Sequence, residues 1–335
     1  MMQRTLYLGY YFKQMKWDLL KKFLTYTSEL TGKSKSRLMM ASIRDVYKYN
    51  ISILEYFQFG FYNMSTEEKK TWAGTGTMYE FQKLANPLKE RTILDDKRLF
   101  YTNYKEFFKH HMYTLEELEA DKDLLDKIYA SNTKLVLKES SGKAGSGIKI
   151  INTADIKQQD LFDYMNAHRF GVLETYVKQH SKIQELSPSA VNTVRIFTQI
   201  RKDGTFEILG CRMRISVNSP VDNMAAGNLA APVDEKTGII TGPGVYSDIT
   251  KPSQAIHPIT GITITGFQIP FWKEILEMTE KAALKHPQNR SIGWDIVVTD
   301  DGPGFIEGNH DWCKLVWQLP IKKGLRPMLE NYKNL

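Results

Sequence analysis

The 335-residue sequence holds only two cysteines, Cys211 and Cys313. They lie far apart and match no zinc-ligand spacing, which sets aside a disulfide framework or a metal knuckle and fits a reducing cytoplasm. No window approaches eighteen uninterrupted apolar residues, so a membrane-spanning helix is excluded. There is no block of five or six consecutive basic residues, and a nucleic-acid partner is not expected. Internal repeats and low-complexity segments are missing, and glycine and proline are not in excess. The first twenty residues scatter Arg4, Lys13, Lys16 and Asp18 among apolar ones, which does not read as a signal peptide.

What is present is ordinary globular material: 42% hydrophobic and 25% charged residues in a chain long enough for two or three packed units. A net charge of +7 favours anions without naming one. Nucleotide phosphates, an acidic sugar and an anionic membrane surface all remain open. Residues 11–30 can form a basic amphipathic helix with Phe12, Met15, Leu19, Leu20 and Phe23 on one side. Such a helix either docks on its own core or makes peripheral membrane contact.

The chain changes character near residue 90. Before that point it reads as helical, with helices expected over 11–30 and 35–57 and a capped start at Ser65-Thr66-Glu67-Glu68. Helices are also expected over 95–108 and over 114–132, the latter opened by the capping-box pattern Thr114 to Glu117. Strands follow at 134–138 and 147–151, then a helix over 156–167 and a strand over 171–177. Residues 191–200 and 206–217 form an expected hairpin, and 218–266 reads as irregular. A helix over 270–285 opens on Pro270, and 292–299 with 304–308 make a last hairpin.

That last hairpin carries the most chemistry. Glu307 and Asn309 are two residues apart, so on a strand they share a face. With an odd number of residues in the turn, Asp295 joins them. Two carboxylates and an amide oxygen then converge, and such like charges call for a hard cation, Mg²⁺ or Mn²⁺. The other reading is a solvated hairpin whose acids face water.

Lys138 closes an apolar run and enters a loop from Ser140 and Ser141 through Gly142, Gly145 and Ser146 to Gly147. A lysine on a strand beside a loop rich in free N–H groups suits phosphate oxygens. The loop is not a Walker A motif, because Ile148 and Lys149 stand where Lys and Ser or Thr would be needed. A plain tight connection remains the alternative, as does a surface role for Lys97. Arg212 and Arg214 share a strand face that Arg195 can join, and such a cluster needs an anion, either a ligand or acidic side chains.

In order, Asp96-Lys97, Leu137-Lys138 with its loop, Leu173-Glu174-x-x-Val177, Asn192-Thr193-x-Arg195, Asp295 and Glu307-x-Asn309 resemble the ATP-grasp superfamily. Gln179-His180, Val221-Asp222-Asn223, His257-Pro258 and Ile292-Gly-Trp294-Asp295 make the sequence most similar to the sugar-transfer-associated ATP-grasp family over roughly residues 90–315. The resemblance implies an α+β ATP-grasp fold, two α+β subdomains clasping ATP, behind a mainly helical N-terminal region. The expected parts are 1–90 (helical), 91–172 (small subdomain with the phosphate loop) and 173–335 (large subdomain with the metal site).

It further implies ATP and two Mg²⁺ ions as cofactors, with Lys97 and Lys138 on the nucleotide and Ser140 to Gly147 over its phosphates. Glu174 and Val177 would meet adenine, and Asp295, Glu307 and Asn309 the metal. Arg195, with Arg212 or Arg214, would steady the transferred phosphoryl group. Asp222, Asn223 and His257, in the irregular stretch, are candidates for substrate contact; turn-forming or satisfied loop roles remain equally open to them. The implied activity joins a carboxylate to an amine through an acyl phosphate, with an acidic sugar or glycan precursor in surface polysaccharide biosynthesis as the acid. A kinase that stops at a phosphorylated product and a silent nucleotide-binding scaffold are the alternatives.

Overall fold

A computed structural model describes residues 15–140 and 147–332. Nine strands form two antiparallel sheets. The first contains β1 (Met112–Thr114), β2 (Lys134–Lys138), β3 (Ile148–Asn152) and β4 (Val172–Thr175), in the order β1-β4-β2-β3. The second contains β5 (Val194–Ile200), β6 (Phe206–Ile215), β7 (Leu229–Val233), β8 (Ser291–Thr299) and β9 (Gly302–Asn309), in the order β7-β6-β5-β8-β9. β4 pairs with β2, so the chain leaves the first sheet after Thr175 rather than at the expected boundary of 172. The helix Lys97–Tyr104 lies before the first sheet in sequence but packs Phe100 and Tyr104 against the second.

The second sheet is covered on both faces, and β5 and β8 are buried along their whole length. Val194, Ile196, Met213, Trp294, Ile296 and Phe305 point to one face and pack under the helix Trp272–Lys285 through Ile275, Met278 and Ala282. On the opposite face, Phe197 meets Trp312 and Trp317, and this core runs on into the N-terminal helices through Phe57, Phe59, Phe61 and Trp72. Of the apolar side proposed for residues 11–30, Leu20 and Phe23 are buried in that core, and Met15 and Leu19 pack against it; Phe12 lies outside the described residues. No helix among the described residues is long and apolar enough to cross a membrane.

Three expected helices are interrupted, each by a local polar signal. The stretch 35–57 divides into Lys35–Tyr49 and Ile53–Gln58. Asn50 adopts a left-handed conformation (φ 58°), and Ser52 then opens a new capping box with Glu55. Asp121 divides the stretch 114–132 by capping Leu124 N at 3.0 Å. Asp96 does the same to 95–108 by accepting from Arg98 N at 2.8 Å, so Lys97 opens its helix. The last long helix starts at Trp272, after Phe271 at φ 55°, and Pro270 lies outside it. The stretch read as irregular contains β7.

Ser52 accepts from Glu55 N while Glu55 accepts from Ser52 N. Ser52→Ala removes half of this exchange and is expected to cost about 1 kcal/mol, measured as a shift of the urea midpoint at unchanged slope.

Candidate active site

Pairing across the second sheet sets one row of side chains: Arg212 opposite Arg195, Arg195 opposite Asp295, and Asp295 opposite Glu307. The last pairing depends on a bulge. Thr299 pairs with Gly302 across a two-residue turn, a register that would set Asp295 opposite Ile306 and turn Glu307 to the apolar face. A shift next to Asp295 skips Ile306 and brings Glu307 back. The acids therefore meet as expected, through an even turn plus one extra residue instead of an odd turn. Gly293, two residues before Asp295, admits Trp312 closely: a Cβ there would approach the Trp312 Cβ to 2.6 Å.

Asp295 is buried between two guanidinium groups. Arg195 donates to both of its oxygens, through Nε and through Nη2 at 2.8 Å, and Arg214 Nη1 donates at 2.6 Å. Burial works to raise the Asp295 carboxyl, but the two arginines outweigh it and hold it well below the usual carboxylate range. Arg214 also reaches Asp222 Oδ1 at 2.6 Å, and Asp222 Oδ2 accepts from Thr193 N and Oγ1 at 2.9 and 2.5 Å. Burial and then the Asp295 charge raise Glu307, which bonds to Asp295 and accepts from Asn309 Nδ2 at 3.1 Å.

The facing wall belongs to the first sheet. Lys138 Nζ lies 2.5 Å from Glu174 Oε2, and both side chains are buried. His110 Nε2 stands 3.3 Å from the same oxygen. Burial alone would raise the Glu174 carboxyl, yet Lys138 and then His110 bring it down to about 2. Its Oε1 is buried without a hydrogen-bond partner. Burial lowers the Lys97 ammonium, and the charge of Glu307 opposes that shift. Lys97 N donates to Ser140 O at 3.0 Å, which ties this helix to the start of the loop expected over the phosphates. Gly147 closes the loop at φ 66°, where a Cβ would come within 2.6 Å of the Glu139 side chain. Ser141, Gly142, Gly145 and Ser146 lie outside the described residues.

Between the walls is a cavity of about 440 Å³. Lys97, Lys138, Glu174 and Val177 line it from one side, and Arg195, Arg214, Asp295, Glu307 and Asn309 from the other. Asp222 and Asn223 also line it. Asp222 is committed to Arg214 and Thr193, and Asn223 Oδ1 accepts from Ala225 N at 3.0 Å.

Among the described residues, four of the expected site residues do not line the cavity: Ser140 and Gly147, at the two ends of the loop, and Arg212 and His257. Arg212 shares the sheet face, but its Nε and Nη2 donate to Trp317 O at 3.1 and 2.5 Å and it does not line the cavity. His257 is buried with Nε2 at 2.9 Å from Ser216 O and Nδ1 accepting from Thr260 N, an anchor of its own loop. Sequence reasoning did not single out His110, Thr193, Ser247 or Cys313. Only Thr193 lay within a motif; the others reach the site through pairings that no local pattern announces.

The donor set fits a divalent ion. Among the described residues there is no cluster of three or more histidines, cysteines or acids in metal-binding geometry. Asn309 lies beside the buried Asp295 and half-buried Glu307 with its amide nitrogen turned to Glu307, so a third oxygen would require that amide to be reversed. A hard cation there would relieve the repulsion that raises Glu307.

Two antiparallel sheets closing on one cavity, with basic residues on one wall and an acid–acid–amide set on the other, are the arrangement of an ATP-grasp protein. The family described as sugar-transfer associated ATP-grasp matches residues 77–334, and the chain belongs to it. Among solved structures it is similar to D-alanyl-alanine synthetase A from Vibrio cholerae, at 12% identity over 73% of this chain and 62% of that one, with a TM-score of 0.41. It is also similar to the D-alanine–D-alanine ligase from Bacillus anthracis, at 16% identity over 76% and 77% of the two chains and a TM-score of 0.35. A third is the L-amino acid ligase from Bacillus licheniformis, at 11% identity over 73% and 49%, with a TM-score of 0.43. This chain thus spans 62% of the first of these and about half of the last. No curated protein sequence matches it.

Two outcomes follow from the wiring. Glu174 has its folded value below its ordinary 4.5, so its contribution to stability is complete above about pH 4.5 and is lost as pH falls towards 2. In urea titrations across that window, Glu174→Gln is expected to show a flatter acid limb than the wild type. Arg212→Met is expected to cost about 2 kcal/mol through the stranded Trp317 carbonyl, while Mg-ATP affinity by calorimetry stays within about threefold.

Proposed function

We propose that the chain is an ATP- and Mg²⁺-dependent carboxylate–amine ligase working through an acyl phosphate, with an acidic sugar or glycan precursor as the acid. The observation that carries this reading is the confrontation of Lys97 and Lys138 with Asp295, Glu307 and Asn309 across one cavity. Ile148 and Ile150 support it: both line the cavity and remain 38% and 40% exposed, an apolar strip suited to a flat base. The sugar assignment rests on the family description alone.

The nucleotide with its metal supplies a phosphoryl group whose oxygens carry concentrated negative charge. Lys138, fixed by Glu174 on the first sheet, and Lys97, at the start of the helix Lys97–Tyr104, offer cations from one wall. Arg195 and Arg214, oriented by Asp295 and Asp222, present theirs from the second. A substrate carboxylate oxygen attacks the terminal phosphorus, and the bond to the bridging oxygen breaks with its electron pair leaving on ADP. The amine then adds to the acyl carbon and expels inorganic phosphate, losing one proton to solvent or a nearby base. The chain supplies positioning and charge, and no side chain becomes covalently bound.

With ATP, Mg²⁺ and a panel of sugar acids, added hydroxylamine is expected to give a hydroxamate and ADP together. A stable phosphorylated product that resists hydroxylamine would replace this reading with a kinase. Asp295→Asn and Glu307→Gln are each expected to lower turnover by about a thousandfold or more with an unchanged far-UV spectrum. Full activity in either would remove the metal assignment.

A further inference from the structure

No described residue before Lys97 lines the cavity, yet the N-terminal helices hold one end of it. The grip centres on the short helix Ile53–Gln58. The buried Glu55 carboxylate accepts from Ser52 N at 2.8 Å, Thr75 N at 3.0 Å, Thr75 Oγ1 at 2.5 Å and Lys314 Nζ at 2.8 Å. Lys314 sits inside the strap 311–316, whose other five residues all line the cavity. Three residues along the same helix, Gln58 Nε2 donates to the carbonyl of Ser247, on a second lining segment, at 3.0 Å. Gln82 Nε2 adds a bond to Trp312 O at 2.9 Å. The hydrophobic core of the N-terminal region continues without a break into Trp312 and Val316 of the strap and into Met224, a further lining residue. The lysine-bearing end contacts a different core, built from the first sheet.

We infer that the N-terminal helices shape the acceptor end of the cavity, with Glu55 and Gln58 as positioning residues that fix the spacing between the strap 311–316 and the Ser247 wall. Both residues precede the family match, which starts at 77. Calling this end the acceptor end rests on the function proposed above. Met224 and Val316 give it apolar lining, Asn223 and Ser247 neutral polar groups and Asp311 a carboxylate, a mixture suited to a sugar-sized acceptor with hydroxyl or amine groups.

Cys313 is an exposed thiol within the strap, and Cys211 is a buried one under the helix Trp272–Lys285, so the chain carries its own reporter and its own control. The full-length wild type, Glu55→Gln and Gln58→Leu are labelled with a chromogenic disulfide, and affinity for the Mg²⁺ complex of a non-hydrolysable ATP analogue is measured in parallel. The expected result is a change of about fivefold or more in the Cys313 rate in both variants, a silent Cys211, and analogue affinity within about twofold. An unchanged Cys313 rate, or Cys211 becoming reactive in step with it, would overturn the inference in favour of simple scaffolding. An equal loss of analogue affinity would move the helices' role to the nucleotide end. If Glu55→Gln does not fold, Gln58→Leu, which loses a single bond, decides. Failure of the wild type itself to bind the analogue would overturn the proposed function, whereas the thiol rates test the clamp regardless.

Discussion

A buried aspartate between two arginines organises this molecule. Arg195 and Arg214 keep Asp295 ionised in the sheet interior, and Asp295 offsets their charge in turn. The pairing also fixes direction. Arg214 is held at its other nitrogen by Asp222, which is held in turn by the backbone of Thr193, so position passes from main chain to site through three charged groups. Glu307 stands beside this cluster, its carboxyl raised by burial and by the Asp295 charge.

The same logic, differently arranged, governs the other wall. Lys138 is held by Glu174, whose second oxygen has no hydrogen-bond partner. One wall shares two arginines between Asp295 and Asp222, and the other pairs Lys138 with Glu174. The cavity gains charged groups in fixed orientations while each charge keeps a nearby counter-charge.

Much of this was legible in the chain itself. Strand patterns located β2, β4, β5, β6, β8 and β9 closely, because alternation and turn residues are local signals. The capping boxes at Ser65 and Thr114 appeared as read. What failed to show depended on distant partners. Nothing near Arg212 in sequence predicts that the carbonyl of Trp317 will claim it. His110 meets Glu174 only because β1 pairs with β4. β7 is a strand because β6 offers an edge, and its own Ala-Ala-Pro composition gives little hint of it. The broken helices taught a different lesson: apolar periodicity ran through Asn50, Asp96 and Asp121, and a single capping side chain overruled it each time.

The bulge at Ile306 separates two properties of the last hairpin that are usually bound together. Whether Asp295 faces Glu307 depends on the parity of the chain length between them, and an extra residue restores that parity wherever it is inserted. A three-residue turn with a regular ladder would give the same opposition of acids. Lengthening the loop by one residue and ironing out the kink are therefore compensating edits, and hairpins of unlike outline can present the same pair of carboxylates.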